Sequence, residues 1–177
     1  MFRKIAIVIV VALCLVVILA AMKPDNFRVE RSATIKAPPE KVFPLIDDFH
    51  RWDAWSPWEK RDPAMKRTHS GAPAGKGAVY EWDGNKDVGK GRMEIADTTP
   101  PSKVAINLDF EKPFAGHNKV TFTLEPRGDA TNVTWRMEGR CNFFAKVIGI
   151  FINMDDMVGK DFEAGLAAMK AAAEKGS

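Results

Sequence analysis

The C-terminal third of the chain carries a long apolar stripe at helical spacing. Between Phe143 and Lys170, apolar residues recur three or four positions apart, which is the period of one face of an α-helix. The members of this stripe are Val147, Phe151, Met154, Val158, Phe162, Gly165 and Met169. An amphipathic helix of this length needs a sheet or other helices to cover its stripe. We therefore predict one long helix that packs against a sheet.

Upstream of this helix, several segments alternate apolar and polar residues. Phe27 to Lys36 has the period of two that is typical of a half-buried strand. Five further strand segments follow between residues 78 and 137, and residues 66–69 form at most a short strand. Pro39 suits the first turn of a short helix, and the tryptophan-rich segment Trp52 to Trp58 predicts a short helix broken by a turn. This order predicts an α+β fold with an antiparallel sheet covered on one face.

The chain begins with an apolar segment that is long enough to cross a membrane. Ile5 to Met22 contains no charged residue, and as a helix it spans about 27 Å at 1.5 Å per residue, close to the roughly 30 Å hydrocarbon core. Arg3 and Lys4 precede it, and Lys23 follows it. A cleavable signal peptide is the alternative, but its apolar region is usually only about 7–15 residues long. We predict an uncleaved single-pass anchor with the folded domain on the outer, periplasmic side of the cytoplasmic membrane.

Charge and cysteine content exclude some classes of protein. The net charge is +3, and two of the positive charges, Arg3 and Lys4, precede the apolar segment, which leaves +1 for the remainder. A nucleic-acid-binding protein usually has a basic stripe, and this sequence has none, so we expect no nucleic-acid partner. Cys14 and Cys141 lie in very different settings and do not form a disulfide framework.

Several phrases occur in the order found in a known superfamily. They are VERSATIKAPPEKVFPLI, W-x-x-W-S-P-W, GAVYEWDGN, the pair VTFTLEP and DATNVTWRMEG, and MDDMVGKDFEAGLAAMK. In these phrases the chain resembles the SRPBCC superfamily, which comprises the START-related, polyketide cyclase/dehydrase-like helix-grip domains. The resemblance implies an α+β helix-grip fold, in which a curved antiparallel sheet wraps around a long C-terminal helix. It also implies an apolar cavity between the sheet and that helix, with no fixed catalytic set.

The resemblance covers roughly Phe27 to Ala173, and together with the apolar leader it defines the expected domains. Residues 1–22 are a separate N-terminal transmembrane helix, 23–26 a linker, 27–173 the helix-grip domain and 174–177 a tail. The superfamily includes lipid carriers, cyclases, hydrolase-like members and chaperone cofactors, so the resemblance specifies the fold more closely than the function.

A set of large apolar side chains either fills the core or lines a cavity, and the resemblance favours the cavity. Such sites need apolar walls and a few polar anchors. Asp155, at the edge of the helical stripe, anchors the polar head of a ligand, pairs with Arg31 or simply lies on a solvated helix face beside an Asp156–Lys160 pair. The other members of the expected ligand-binding set are Trp55, Trp58, Tyr80, Trp82, Phe110, Phe122, Trp135, Met137, Phe151, Met154 and Val158.

The sequence contains none of the catalytic or cofactor-binding motifs considered below. His50, His69 and His117 have no partner at metal-ligand spacing, and no G-x-S-x-G elbow frames a nucleophile. The glycine-rich segment Gly71–Gly77 is one residue short of a phosphate-binding loop and leads into a strand. We expect surface histidines, no catalytic set, no metal and no cofactor.

Three functions agree with these observations. The leading hypothesis is a membrane-anchored domain that binds a hydrophobic small molecule or a lipid in the cavity. The second is a cyclase- or aromatase-like enzyme that uses the same cavity, although no acid–base pair favours it. The third is a protein-interaction module with an exposed apolar patch at the tryptophan-rich segment, whose protein partner the sequence does not identify.

Overall fold

A computed structural model describes residues 2–151 and 153–175 of the chain. Helix α1 (Phe2–Met22) comes first, and the domain that follows begins with strand β1 (Asn26–Ile35), short helices α2 (Pro39–Val42) and α3 (Pro44–Asp47), and two 3-10 helices (Phe49–Ala54 and Pro57–Lys60). Six more strands and two helices complete it: β2 (Lys66–Gly71), β3 (Ala78–Asp83), β4 (Lys90–Thr99), β5 (Lys103–Lys112), β6 (Gly116–Arg127), β7 (Ala130–Arg140), α4 (Phe143–Phe151) and α5 (Met154–Glu174).

The seven strands form one antiparallel sheet in the order β1-β7-β6-β5-β4-β3-β2. Strands that follow one another in the chain are neighbours from β2 to β7, and β1 joins at the far edge by pairing with β7 from Asn26↔Arg140 to Ile35↔Thr131. The sheet is open, with β1 and β2 at its two edges, and α5 packs against it beside β1. The predicted α+β helix-grip fold is confirmed, with the short segment from Lys66 as a strand of its own.

The core lies between this sheet and α5, as the alternation of the strands predicts. Along β7, Val133, Trp135 and Met137 are buried, and along α5, Phe162 and Met169 are buried against them. The end of α5 is fixed to β1 by two contacts: Lys170 Nζ donates to Thr34 O at 3.1 Å, and Glu174 accepts from Lys36 N at 2.7 Å. The C-terminal part of the predicted stripe, from Phe162 to Met169, therefore faces the sheet.

The prediction of one uninterrupted helix from Phe143 to Lys170 is wrong. The segment forms two helices that meet around Asn153, whose side chain accepts a hydrogen bond from Asp155 N at 3.0 Å and so caps α5. Asparagine is among the best N-cap residues, because its side chain satisfies an amide at the first turn of the helix. Ile152 lies outside the described residues, as do Met1 of the predicted anchor and residues 176 and 177 of the predicted tail.

The N-terminal part of the stripe, which includes Phe151 and Met154, consequently faces away from the sheet. Phe151 is 75% exposed and Met154 is 37% exposed, so neither is buried against the sheet, and their contact with a ligand stays a prediction. Helix α4 is apolar on nearly every side, and it packs against α1 instead. Because the apolar spacing continues from α4 into α5, the sequence pattern did not indicate that the two helices pack against different partners.

The tryptophan-rich segment is broken as the sequence predicts. Trp52 lies in the first 3-10 helix and Trp58 in the second, with Trp55 and Ser56 between them. The indole N–H groups of Trp52 and Trp55 donate to Ile46 O at 3.0 Å and to Leu45 O at 2.7 Å. These bonds fix both rings over the sheet and satisfy their buried N–H groups.

Helix α1 carries the apolar leader. Its mean hydropathy is 3.4 over the most apolar window, of which 6% is buried. A helix of 21 residues is about 31 Å long and therefore long enough to cross a membrane. Both a single-pass anchor and a signal sequence satisfy this condition.

Candidate functional site

Five aromatic rings meet between the sheet and α5, and we call Trp55, Trp58, Phe122, Trp135 and Phe162 the aromatic cluster. Trp135 is at its centre, stacked on Phe162 with ring centroids 4.0 Å apart and planes within 7°. Phe122 lies at 4.9 Å from Trp135, Trp55 at 5.4 Å and Trp58 at 5.7 Å. These rings fill the space between sheet and helix at this level of the domain, and a ligand-binding cavity there stays a prediction.

The close fit depends on a glycine in α5. A Cβ added to Gly165 would lie 2.8 Å from Cζ3 of Trp135 and 3.2 Å from Cδ of Pro57. Only a residue without a side chain lets α5 approach the Trp135 ring this closely. The glycine of the stripe thus sets the distance between helix and sheet.

Trp135 is buried without a partner for its indole N–H. Trp135 is 2% exposed, and among the described residues its Nε1 has no hydrogen-bond partner. A buried donor that is not hydrogen-bonded costs about 1–3 kcal/mol. The centre of the aromatic cluster therefore contains one polar group that an acceptor atom would stabilise.

A second group of rings extends the apolar surface toward β2. Tyr80 packs on Trp82 at 6.1 Å, and Trp82 meets Phe110 edge-on at 5.8 Å. Met137 is buried beside the aromatic cluster, and Val158 is half-buried against the same core. Nine of the predicted ligand-binding residues thus pack on the core between sheet and α5: Trp55, Trp58, Tyr80, Trp82, Phe110, Phe122, Trp135, Met137 and Val158.

The polar groups nearest this surface are joined by a hydrogen bond and an ion pair to Glu59. Tyr80 donates its hydroxyl to Glu59 Oε1 at 2.5 Å, and Arg67 Nε donates to Glu59 Oε2 at 2.6 Å. Burial raises the pKa of Tyr80, and the carboxylate of Glu59 raises it further, so the phenol stays protonated. Glu59 and Arg67 are members of the site that the sequence analysis missed, although Glu59 directly follows the last tryptophan of W-x-x-W-S-P-W.

Asp155 pairs with Arg31, one of the three roles that the sequence left open. Arg31 donates to both carboxylate oxygens at 3.0 Å and also to Glu163 Oε1 at 2.8 Å. The guanidinium lowers the pKa of Asp155 by hydrogen bonding and by its charge. With both oxygens engaged, this carboxylate attaches the first turn of α5 to β1.

The three histidines lie on the surface. His50 Nδ1 is 2.9 Å from Asp48 Oδ1, and His117 Nδ1 is 2.7 Å from Asp109 Oδ1. His69 stacks on His50 at a centroid distance of 4.2 Å; burial and the neighbouring imidazole lower its pKa. No cluster of three metal-binding side chains occurs in the described ranges.

Two pockets lie outside the aromatic cluster. One of about 270 Å³ is lined by His50, His69 and neighbouring residues of β2 and β3. The other, of about 440 Å³, lies between Arg61 and the start of α5 near Asp156. No residue of the aromatic cluster lines either pocket, so an apolar ligand held among the five rings would need them to move.

The sequence matches a family described as polyketide cyclase/dehydrase and lipid transport over residues 26–174. Because this match covers most of the chain, the protein belongs to that family. The superfamily resemblance seen in the sequence phrases is thereby confirmed. No curated protein matches the chain.

Solved structures share the fold at low sequence identity. Protein CV1439 from Chromobacterium violaceum is 17% identical, with 86% of this chain and 99% of that chain covered and a TM-score of 0.59. The Aha1 dimer from Colwellia psychrerythraea is 17% identical, with coverage of 85% and 98% and a TM-score of 0.57. A protein from Thermobifida fusca is 20% identical, with coverage of 82% and 92% and a TM-score of 0.63. At these identities the similarity establishes the fold and nothing finer.

Proposed function

We propose that this protein is a membrane-anchored domain that binds a hydrophobic small molecule or a lipid between its sheet and α5. The observation that carries the proposal is the indole N–H of Trp135, which is buried in the aromatic cluster and meets no acceptor among the described residues. A ligand that inserts a carbonyl, ester or hydroxyl oxygen next to Nε1 satisfies this donor. The apolar part of the ligand then takes the place of contacts between the aromatic rings.

The ligand enters by displacement of Trp58. This side chain is half-buried, and its ring meets Trp135 and Phe162 edge-on at 5.7 and 6.4 Å. It lies on a 3-10 helix of four residues, which is short enough to move without unfolding the sheet. An ion pair between Arg61 and Asp161 fastens the end of this segment to α5, so opening requires that pair to separate.

The remaining side chains of the expected site have distinct roles in the proposal. The rings of Tyr80, Trp82 and Phe110, together with Met137 and Val158, provide apolar wall beyond the aromatic cluster. Phe151 and Met154, which are exposed, contact a ligand only at the entrance near the start of α5. Asp155 fixes the first turn of α5 at that entrance through its ion pair with Arg31.

Helix α1 supplies the tether in this proposal. Residues 1–22 remain as a single-pass anchor, 23–26 are the linker, and the domain from residue 27 lies on the outer side of the cytoplasmic membrane. The tether keeps the binding domain within reach of the bilayer, from which apolar ligands partition. The family description, which includes lipid transport, supports a ligand of this class.

Native mass spectrometry of the full chain, extracted in a mild detergent, tests the proposal. We expect a co-purifying apolar molecule, or binding of at least one member of a panel that contains oleic acid, phosphatidylglycerol and an isoprenoid quinone. Trp135→Phe should weaken that binding about fivefold, because one hydrogen bond worth about 1 kcal/mol is lost.

Trp52→Phe is the matched control for this experiment. Its indole N–H is bonded to Ile46 O, so the substitution lowers stability without removing a donor from the ligand. Equal loss of affinity in both variants would assign the effect to weakened packing. Absence of any bound molecule, together with no thermal shift across the panel, would refute the proposal.

A further inference from the structure

Exposed phenylalanines are concentrated at one end of the sheet. Phe143, Phe144 and Phe151 on α4 are 55%, 54% and 75% exposed, and Phe114 in the β5–β6 connection is 59% exposed. The rings of Phe114 and Phe144 lie 5.3 Å apart, so the two segments form one continuous surface. We call these four residues the apolar platform.

The position of α4 is unusual for a helix of a domain surrounded only by water. An amphipathic helix normally buries its apolar face against the core, yet α4 has no buried residue. Phe144 and Phe151 are seven residues apart and therefore lie on nearly the same face, which points away from the sheet core. The platform leaves an apolar area of a few hundred Å² uncovered, as large as the biggest patches on soluble monomers.

Charge is almost absent from α4. Its one charged residue, Lys146, forms an ion pair with Asp25 in the linker, and the lysine side chain is only 12% exposed. Lys23 Nζ donates to Gly149 O at 2.9 Å, which joins the same linker to the end of α4. These contacts fix α4 beside the C-terminal end of α1 and place no unpaired charge on the platform.

Chain length sets the height of α4 above the membrane. Only residues 23–25 separate α1 from β1, and three extended residues span at most about 11 Å. β1 begins opposite Arg140, the last residue of β7, and α4 starts three residues later. Because the headgroup region adds about 5–8 Å to each side of the hydrocarbon core, α4 lies at or within that region if α1 spans the bilayer.

We propose that the apolar platform is a membrane-embedded surface, with α4 lying in the interface plane and its phenylalanines reaching the acyl-chain boundary. This inference rests on the proposed anchor but not on the proposed ligand. Interfacial helices combine an apolar face with lysines at headgroup depth, and Lys23 and Lys146 occupy such positions. The platform then holds the domain against the bilayer in one orientation, with the start of α5 next to the lipid.

Fluorescence quenching by brominated lipid tests the depth of the platform in the full chain. Phe144→Trp is reconstituted in phosphatidylcholine vesicles, with or without brominated acyl chains, and its emission is compared with that of the wild type. The matched control is Lys103→Trp at the other end of β5, since a strand of ten residues is about 33 Å long. We expect roughly half or more of the emission added at position 144 to be quenched, and about a tenth or less at position 103.

Each outcome of this experiment decides the inference. Equal quenching at the two positions, or none at position 144 in vesicles to which the protein remains bound on flotation, overturns it while leaving the anchor intact. Protection of position 144 by a second copy, detected as cross-linked dimers, or by another protein also overturns it. Loss of the protein from the floating vesicles refutes the anchor and the platform together. None of these readings depends on ligand binding, so they are separate from the mass-spectrometric test.

Discussion

Individual residues control how closely α5 approaches the sheet. Gly165 allows direct contact with Trp135, and the ring of Phe162 stacks on the same tryptophan. Asp47, by contrast, is a residue whose charge opposes folding, since one of its carboxylate oxygens is buried without a described partner. These two positions give predictions in opposite directions.

Replacement of Gly165 by alanine should destabilise the protein by about 1–3 kcal/mol, because the new methyl group overpacks the contact with Trp135 and Pro57. The control is Gly149→Ala on α4, where an added Cβ meets nothing within 4 Å. That substitution should leave global stability unchanged or raise it by up to about 1 kcal/mol, because α4 has no buried residue and can fray alone. Denaturant unfolding of the full chain in detergent measures both, and equal effects at the two positions would contradict the close packing of α5.

Replacement of Asp47 by asparagine should raise the free energy of unfolding at pH 7 by about 1 kcal/mol, because the neutral amide avoids the extra cost of burying a charge, while solvent still reaches part of the side chain. Burial, followed by the charge of Asp48, raises the pKa of Asp47. A carboxyl with a raised folded-state pKa stabilises the fold below its unfolded pKa of about 3.9, and this contribution is lost as the pH rises through the folded value.

The pH dependence separates this effect from a general effect of charge. Asp47→Asn should remove the part of the stability decline that lies above pH 4, as followed by unfolding at several pH values. Asp53→Asn, at an exposed position of the first 3-10 helix, should leave that decline in place. A destabilised Asp47→Asn variant at neutral pH would show that the ionised carboxylate has a favourable partner.

At the scale of elements, the capping residues explain why the apolar C-terminal segment divides. Asn153 caps α5, and Asn142 accepts from Ala145 N at 2.8 Å and so caps α4. The two helices then have different partners: α5 packs on the sheet, and α4 packs against α1. The loss of a cap should therefore matter more for the helix that covers the core.

Substitution of Asn153 by alanine should cost about 1 kcal/mol of global stability, the usual value for an N-cap asparagine. Asn142→Ala should have a much smaller effect on global unfolding, because α4 has no buried residue and can fray alone. Hydrogen exchange together with denaturant unfolding distinguishes local from global loss. A larger global effect at Asn142 than at Asn153 would contradict the assignment of α5 as the core helix.

The predictability of the elements follows from the range of the interactions that form them. A period of two in segments such as Val133, Trp135 and Met137 records burial on one face of a strand, so the strands could be predicted locally. The spacing from Val147 through Phe151 to Val158 continues across the break, so periodicity alone could not reveal it. Asn153 was the local signal for two helices, and the choice of α1 as the partner of α4 is a long-range contact that no spacing encodes.

At the scale of the whole molecule, one fold combines a membrane-length helix, an exposed apolar helix and a sheet that packs on α5. The aromatic composition of the space between sheet and α5 could be predicted, because its residues alternate along strands or recur along the helix. Whether that space is open could not be predicted, because it depends on the side-chain volumes and on the close approach of α5 to the sheet that Gly165 permits. The unsatisfied indole of Trp135 likewise emerges only when all of its neighbours are in place.

The most direct test of the central claim is the ¹H–¹⁵N spectrum of the tryptophan indole groups of the full chain in detergent micelles. The panel member that binds is added, and the five indole signals are assigned by single Trp→Phe substitutions. We expect the Trp135 signal to show the largest change and to move downfield, as an indole N–H does when it gains an acceptor, with Trp58 also shifting as its ring is displaced. Saturable binding that leaves the Trp135 signal unchanged would contradict the account, because the ligand would then lie outside the space between the sheet and α5.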